Sequence, residues 1–242
     1  MKRLLKMSLV LLTITILSSC STGTKSTADA KLPENLEAFT WWTDREKPFG
    51  EYSYKLSSEA EIEEKFDLKT LPSREKTIAL FKDNFSIEGV TLEPEVTDVQ
   101  SDGKNLTLKD TILYKNAEEL YPSYIEIITM YQYLPELKKA KLYSQTISIT
   151  NMSVDGQYHG KNFDGLIKEL GALLDQKDMD KRIKEFKEKT ADKEAIKLSD
   201  VSIFSTTESK GEKSLFSANF GVKYGSTGVP MKIYLETTDF RE

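Results

Sequence analysis

The chain runs twice through one order of predicted elements, and the two passes are offset by about 105 residues. Glu75–Phe81 aligns without a gap with Asp180–Phe186. A duplication requires both halves to fold alike, so this feature limits the possible folds more than any other. We predict two similar tandem halves, over residues 36–135 and 136–242. The alternative is chance agreement between two amphipathic segments rich in Lys and Glu, which would leave the fold class of each segment unchanged.

Each half is predicted to contain a strand, then helices, then an antiparallel meander of strands. In the first half, Ser58–Glu61 has the form of a capping box, and Pro72 marks the start of the next helix. Turn residues at Asp102-Gly103 and Lys210-Gly211 predict one hairpin in each half. Apolar residues recur at helical spacing in the second half, at Phe163, Leu166, Ile167, Leu170, Leu173 and Leu174. The predicted fold class is α+β, with antiparallel sheets and helices packed against them.

The N-terminus has the organisation of a secretion signal. Basic residues within Lys2–Lys6 precede the apolar segment Met7–Ile16, which is too short to span a bilayer. Small residues then lead to Cys20. This arrangement resembles the lipobox of bacterial lipoproteins. The resemblance implies that residues 1–19 are a signal peptide cleaved between Ser19 and Cys20, and that the Cys20 thiol carries a diacylglycerol.

Lipidation of this kind predicts where the protein is held. Acyl chains, palmitate among them, would anchor it to the cell membrane at the extracytoplasmic face. Residues 20–35 would then form the lipidated cysteine and a flexible tether, because Ser21–Lys31 is polar and has no apolar periodicity. Cys20 is the only cysteine of the chain, so its modification would leave no thiol for a disulfide, a metal site or a nucleophile.

The net charge argues against nucleic acid as a partner. The formal charge of the whole chain is −5, and residues 1–19 contain three basic residues and no acidic one, so cleavage would change it to −8. Phosphate backbones are bound by clustered Lys and Arg, which an acidic domain of this composition does not offer. The same charge disfavours electrostatic docking on anionic lipid.

Few side chains are candidates for chemistry. His159 is the only histidine, its flanking glycines predict a surface loop, and Ser53 stands at the matching position of the first half. Asp175, Asp178 and Asp180 offer oxygen ligands but lack the glycine and terminal glutamate of a calcium loop. We predict that Asp178 instead caps the following helix.

The sequence predicts neither a catalytic residue nor a cofactor or metal site. It lacks the serine nucleophile elbow, the phosphate-binding glycine loop, the zinc-binding helix motif and the dinucleotide-binding glycine motif. We therefore expect a protein that is not an enzyme.

Aromatic residues of the first half predict a binding surface. Trp41 and Trp42 would project to opposite faces of a strand. If the core lies on one side of the sheet, one of the two side chains would therefore lie outside it. With Tyr52 and Tyr54 they form the candidate surface, since Trp and Tyr dominate protein contact patches. Other tyrosines in this half are Tyr121, Tyr124, Tyr131 and Tyr133. The alternative is that such large side chains fill the core.

These observations together favour a non-enzymatic, lipid-anchored module that binds a protein partner at the cell surface. A sharper hypothesis is a protective or immunity-like role, in which the acidic domain intercepts a basic toxin or competing element. A hydrolase of envelope polymers that uses carboxylates near the loop of His159 is one alternative. A solute-binding lipoprotein is another, although the predicted strands are antiparallel and the chain is short for two doubly wound lobes.

Overall fold

The computed structural model describes residues 42–44, 53–56, 72–101, 105–134, 136, 139–174, 178–206 and 216–240. The helices among them are α1 (Pro72–Phe85), α2 (Phe163–Ala172) and α3 (Met179–Lys189). The strands are β1 (Trp42–Asp44), β2 (Ser53–Leu56), β3 (Val90–Leu92), β4 (Val96–Ser101), β5 (Asn105–Asn116), β6 (Ser123–Leu134), β7 (Lys139–Asn151), β8 (Asp200–Ser205), β9 (Phe216–Tyr224) and β10 (Pro230–Asp239). The predicted signal peptide, the tether, Ser58–Glu61 and Asp175 lie outside the described residues.

The described strands form one antiparallel sheet, in the order β2-β4-β5-β6-β7-β10-β9-β8. In addition, β1 pairs with the start of β7 and β3 with the end of β5. The predicted hairpins are confirmed, because β4 pairs with β5 and β8 with β9. Strands β6 and β7 pair across the predicted boundary between the halves, from Ser123 opposite Asn151 to Leu134 opposite Lys139. The predicted fold class, α+β with an antiparallel sheet and helices, is confirmed.

The helices cover one face of this sheet. Every second residue of β5 and β6 is buried, as the two-residue period of a strand requires. Ile112 and Ile125, which lie opposite each other, belong to the resulting core. The helices add apolar side chains to this core, and those of α2 belong to its predicted stripe: Ile78, Phe81, Phe85, Leu166, Ile167, Leu170, Ile183 and Phe186. Burial of this apolar surface is the main force that holds the helices on the sheet.

The opposite face of the sheet, here called the open face, carries the alternate side chains. One cross-strand row on it consists of Thr111, Glu126, Ser148, Tyr234 and Gly221, on five adjacent strands. Thr111, Glu126 and Tyr234 are half-buried, in contrast to the core residues beneath the helices. An apolar groove and a polar trough, each described below by its lining residues, lie on this face.

The two helices of the second half begin differently. Asn162 caps α2 as expected of such a residue, since its Oδ1 accepts a hydrogen bond from the backbone N–H of Gly165 at 2.9 Å. The predicted capping by Asp178 is correct in position and wrong in contact: the residue stands at the N-cap position of α3, but its side chain makes no capping hydrogen bond. Its ψ of 16° is not the extended value of a capping residue, and Arg182 Nε donates to its carboxylate at 2.9 Å. This hydrogen bond lowers the pKa of Asp178.

Two of the tyrosines of the first half belong to the core. Tyr131 and Tyr133 are buried on the covered face of β6. Burial raises the pKa of Tyr131, because the phenolate would lose its hydration. For these two residues the core interpretation is correct, whereas Tyr121 is exposed and Tyr124 is half-buried.

Candidate functional site, an apolar groove at one end of the sheet

An apolar groove of about 850 Å³ lies where the β5–β6 turn meets the loop that follows β7. Its apolar lining, which defines the groove, consists of Leu113, Leu120, Tyr121, Pro122, Tyr124, Met152 and Val154. Its polar lining consists of Thr111, Asn116, Glu119, Glu126, Asp155 and His159. The volume falls in the range of ligand and peptide pockets, so the groove can accept several side chains of a partner.

The loop residues of the groove are unusually exposed for their type. Val154 is 89 % exposed and Leu120 is 64 % exposed. Tyr121 and Met152 beside them are also exposed. Single exposed apolar residues are ordinary, but a contiguous group of them around a depression marks an interaction surface.

Local hydrogen bonds hold Leu120 in this position. Asn116 ends β5, and its side-chain Oδ1 accepts from the backbone N–H groups of Glu118 and Leu120 at 3.1 and 2.9 Å. Its own N–H donates to the carbonyl of Leu120 at 2.9 Å, and Glu119 takes a positive φ of 64°. The turn is closed tightly around one asparagine, a residue whose short side chain suits such turns.

Asn151 holds the second loop. Its buried side chain donates to the carbonyls of Gln157 and Pro230 at 3.0 and 2.9 Å, and accepts from the N–H of His159 at 2.6 Å. Within this loop, Ser153–Asp155 forms a 3₁₀ turn with Val154 at its tip. The loop is tied to the β5–β6 turn, because the N–H of Met152 donates to the carbonyl of Pro122 at 2.9 Å.

Carboxylates surround the apolar part of the groove. Glu119 pairs with Lys115, Glu126 pairs with Lys109 at 2.5 Å, and Asp155 lies 3.2 Å from Nε2 of His159. The groove is lined by these three carboxylates and the imidazole, and by no Lys or Arg. Lys115 and Lys109 offset two of the three carboxylates, so with His159 counted as neutral the rim keeps a net negative charge and favours a cationic ligand over an anionic one.

Of the predicted binding surface, Trp42 lies on a strand away from this groove. Trp42 lies on β1 and Tyr54 on β2, while Trp41 and Tyr52 lie outside the described residues. Strand β1 pairs with residues 139–141 at the start of β7, whereas the groove lies beyond the other end of that strand. Since β7 has 13 residues, about 40 Å separates its two ends.

Sequence reasoning missed most of the groove. Tyr121 and Tyr124 were among the aromatic candidates, but Leu120, Met152 and Val154 are aliphatic residues, which sequence patterns assign to a core. The available signal is their position in segments rich in turn residues, Asn116–Pro122 and Asn151–Gly156. His159 lies in a loop as predicted, but its side chain is only 20 % exposed at the edge of the groove.

No protein-family model matches the chain, and no curated protein or solved structure matches it. None of the described helices is long and apolar enough to cross a membrane. Within the same residues, no group of three or more His, Cys, Asp or Glu is placed to hold a metal ion. The function has to be inferred from the chain's own surfaces.

Proposed function

We propose that this protein is a lipid-anchored, extracytoplasmic module that binds a protein partner through the apolar groove. The observation that carries this proposal is the exposure of Leu120 and Val154 beside a depression lined by Tyr121, Tyr124 and Met152. Leaving these side chains in water is unfavourable by about 25 cal/mol per Å² of apolar surface, and a partner that covers them recovers this free energy.

The partner that fits the groove presents apolar side chains next to Lys or Arg. The rim carboxylates Glu119, Glu126 and Asp155 attract such a partner and steer its approach. A second copy of the chain fits less well, because two copies would bring the same carboxylates together. This charge preference agrees with the hypothesis of a protective protein that intercepts a basic toxin.

Two matched peptides test this proposal. The first is an amphipathic helical peptide of Leu and Lys, and the second has Glu at every Lys. We expect the Lys peptide to bind in a salt-dependent manner, and the Glu peptide to bind at least about tenfold more weakly. Leu120→Ser and Val154→Ser should each weaken binding of the Lys peptide, as measured by isothermal titration calorimetry.

Phe240→Ser is the matched control. Phe240 is 53 % exposed and follows the last residue of β10, at the end of that strand opposite Pro230 and the groove. Its replacement should leave peptide binding unchanged. Equal losses in the control and in the groove variants, or equal binding of both peptides, would contradict the proposal. Concentration-dependent dimerisation that Val154→Ser abolishes would assign the groove to self-association.

The membrane anchor is a separate part of the proposal and rests on the lipobox-like sequence that ends in Cys20. We expect the wild-type chain to incorporate an alkyne-labelled palmitate and to partition into detergent. Cys20→Ala should abolish both, while the groove variants should not affect either. A labelled Cys20→Ala protein would contradict lipidation at this residue.

We also propose that the chain arose by duplication, on the strength of equivalent tyrosines in the two halves. Tyr114 of β5 donates to the carbonyl of Lys82 near the end of α1 at 3.1 Å. Tyr224 of β9 hydrogen-bonds Thr190 at the end of α3. The two tyrosines match in sequence, since small insertions between the halves let Ile112 and Tyr114 align with Val222 and Tyr224. The test is to superpose α1, β4, β5 and β6 on α3, β8, β9 and β10 in an experimental structure. Failure to coincide in this order would contradict duplication.

Hydrolysis of an envelope polymer is the second candidate, because the groove places three carboxylates and His159 around one depression. A glycosidase of this kind needs two carboxyl groups that flank the scissile bond. The test is release of reducing ends from purified cell-wall polymer. Activity that Glu126→Gln abolishes would support this function over partner binding.

A further inference from the structure

A polar trough of about 340 Å³ lies on the open face over β8, β9 and β10. Its floor is a regular grid of three cross-strand rows, Lys232-Lys223-Asp200, Tyr234-Gly221-Ser202 and Glu236-Asn219-Ser205. Gly221 occupies the centre of this grid. Because the central residue has no side chain, the Tyr234 ring can lie across it, and the side chains of the other lining residues stand around that ring.

The ring of Tyr234 lies across this central glycine. A Cβ placed on Gly221 would stand 2.4 Å from the hydroxyl oxygen of Tyr234 and 2.7 Å from its Cζ. The ring therefore extends over β9 and reaches β8, where its hydroxyl donates to Oδ1 of Asp200 at 2.7 Å. Burial and this acidic neighbour raise the pKa of Tyr234, so the hydroxyl stays protonated and keeps the ring in place.

The trough differs from the apolar groove in its chemistry. It offers hydroxyl groups of Ser202 and Ser205, the amide of Asn219, two ammonium groups and two carboxylates around one aromatic ring. Lys223 Nζ lies over the Tyr234 ring at 5.7 Å from its centre and 3.7 Å from Oδ2 of Asp200, so a ligand that packs on this face of the ring displaces the ammonium group. The positive charges of the two ammonium groups cancel the negative charges of the two carboxylates. The trough as a whole therefore favours a neutral ligand.

We propose that this trough binds a neutral saccharide. The C–H face of a sugar ring carries partial positive charge and packs on the negative face of an aromatic ring. The sugar hydroxyls around that face both donate and accept hydrogen bonds, as the mixed polar side chains around Tyr234 require. This proposal is independent of partner binding at the apolar groove.

An alternative role for Tyr234 is structural, since an aromatic ring over a glycine also stabilises a sheet. The experiment separates the two roles. The ¹⁵N-labelled protein is titrated with a β-1,4-linked N-acetylglucosamine trimer and, separately, with maltotriose. We expect at least one of the two saccharides to shift amide signals of β8, β9 and β10, those of Gly221 and Ser202 above all.

Three variants complete the test. Tyr234→Ala should weaken saccharide binding by about three- to tenfold. Ser202→Phe, which fills the trough beside Tyr234 and keeps the Tyr234 side chain, should abolish binding, so the test does not depend on the stability of Tyr234→Ala. Phe240→Ser should bind like the wild type. No shift with either saccharide, shifts confined to another surface, or unchanged binding by Ser202→Phe would overturn the proposal.

Discussion

At the residue scale, the buried ion pair between Arg74 and Asp110 joins α1 to the sheet. Arg74 Nε and Nη2 each donate to the Asp110 carboxylate at 2.8 Å, and Thr97 Oγ1 donates to the same carboxylate at 2.7 Å. Although burial acts against the charged form, the hydrogen bond and charge of Asp110 raise the pKa of Arg74. Such a pair depends on both partners, since removal of one leaves the other largely buried without its main counter-charge.

Asp110→Ala should therefore lower the free energy of unfolding by about 3–5 kcal/mol, because it leaves the Arg74 guanidinium buried without its carboxylate. The measurement is urea denaturation followed by circular dichroism. Glu185→Ala is the control: it removes the carboxylate of an exposed pair with Lys181 at 3.7 Å, and should change stability by less than about 1 kcal/mol. If both variants lowered the free energy of unfolding by similar amounts, the larger effect expected for the buried pair would be contradicted.

The buried tyrosines predict loss of stability in alkali. Burial raises the pKa of Tyr224 to about 12 from its ordinary value of 10. Between these values the folded chain holds a proton that the unfolded chain has released, so the free energy of unfolding should fall as pH rises. Below pH 10 this residue should contribute no pH dependence.

Denaturation at a series of alkaline pH values checks this expectation. Tyr224→Phe should flatten the decline between pH 10 and 12, although the variant also loses the hydrogen bond to Thr190. A decline of the same steepness in wild type and variant would show that Tyr224 does not cause it.

At the element scale, the starts of α2 and α3 offer a matched comparison. Asn162 accepts a capping hydrogen bond from the Gly165 N–H, whereas the Asp178 side chain makes no capping bond and accepts from the Arg182 side chain. Asn162→Ala should cost about 1 kcal/mol of stability, because it leaves the Gly165 N–H without its acceptor. Asp178→Ala should cost about half as much or less, as expected of an exposed pair one turn apart. Thermal unfolding measures both, and a larger loss for Asp178→Ala would contradict the observed caps.

How far the sequence predicts these elements depends on the range of the interactions involved. The stripe from Phe163 to Leu174 and the turn at Asp102-Gly103 are local patterns, so α2 and the β4–β5 hairpin could be predicted. The failure of Asp178 to cap α3 could not, because it follows from the backbone angles of Asp178 itself, which no local sequence pattern specifies. The groove was missed because it joins Leu120 and Val154, from two loops that meet only after β6 and β7 pair.

At the scale of the whole molecule, the sheet does not divide where the two predicted halves meet. Strand β6 of the first segment and β7 of the second pair in register over most of their lengths. We expect neither residues 36–135 nor residues 136–242 to fold alone, because each piece would expose a strand of 12 or 13 residues at its edge.

Expression of each segment tests this expectation by circular dichroism and by amide signal dispersion in NMR spectra. Mixing the two segments during refolding should restore the spectrum of the intact protein, since the β6–β7 pairing needs both. A segment that is monomeric and fully folded by itself would show that each half has a self-sufficient core.

The row that contains Glu126, Ser148 and Tyr234 fixes the distance between the groove and the trough. Glu126 lines the groove and Tyr234 floors the trough, and only Ser148 of β7 lies between them in register. Two strand spacings amount to about 10 Å, and the sheet fixes this separation. If both proposals hold, a glycosylated partner could engage the two sites at once, and the second contact would form at a high effective concentration. Weak binding at each site would then add up to a long-lived complex, one that neither the bare polypeptide nor the free sugar could form.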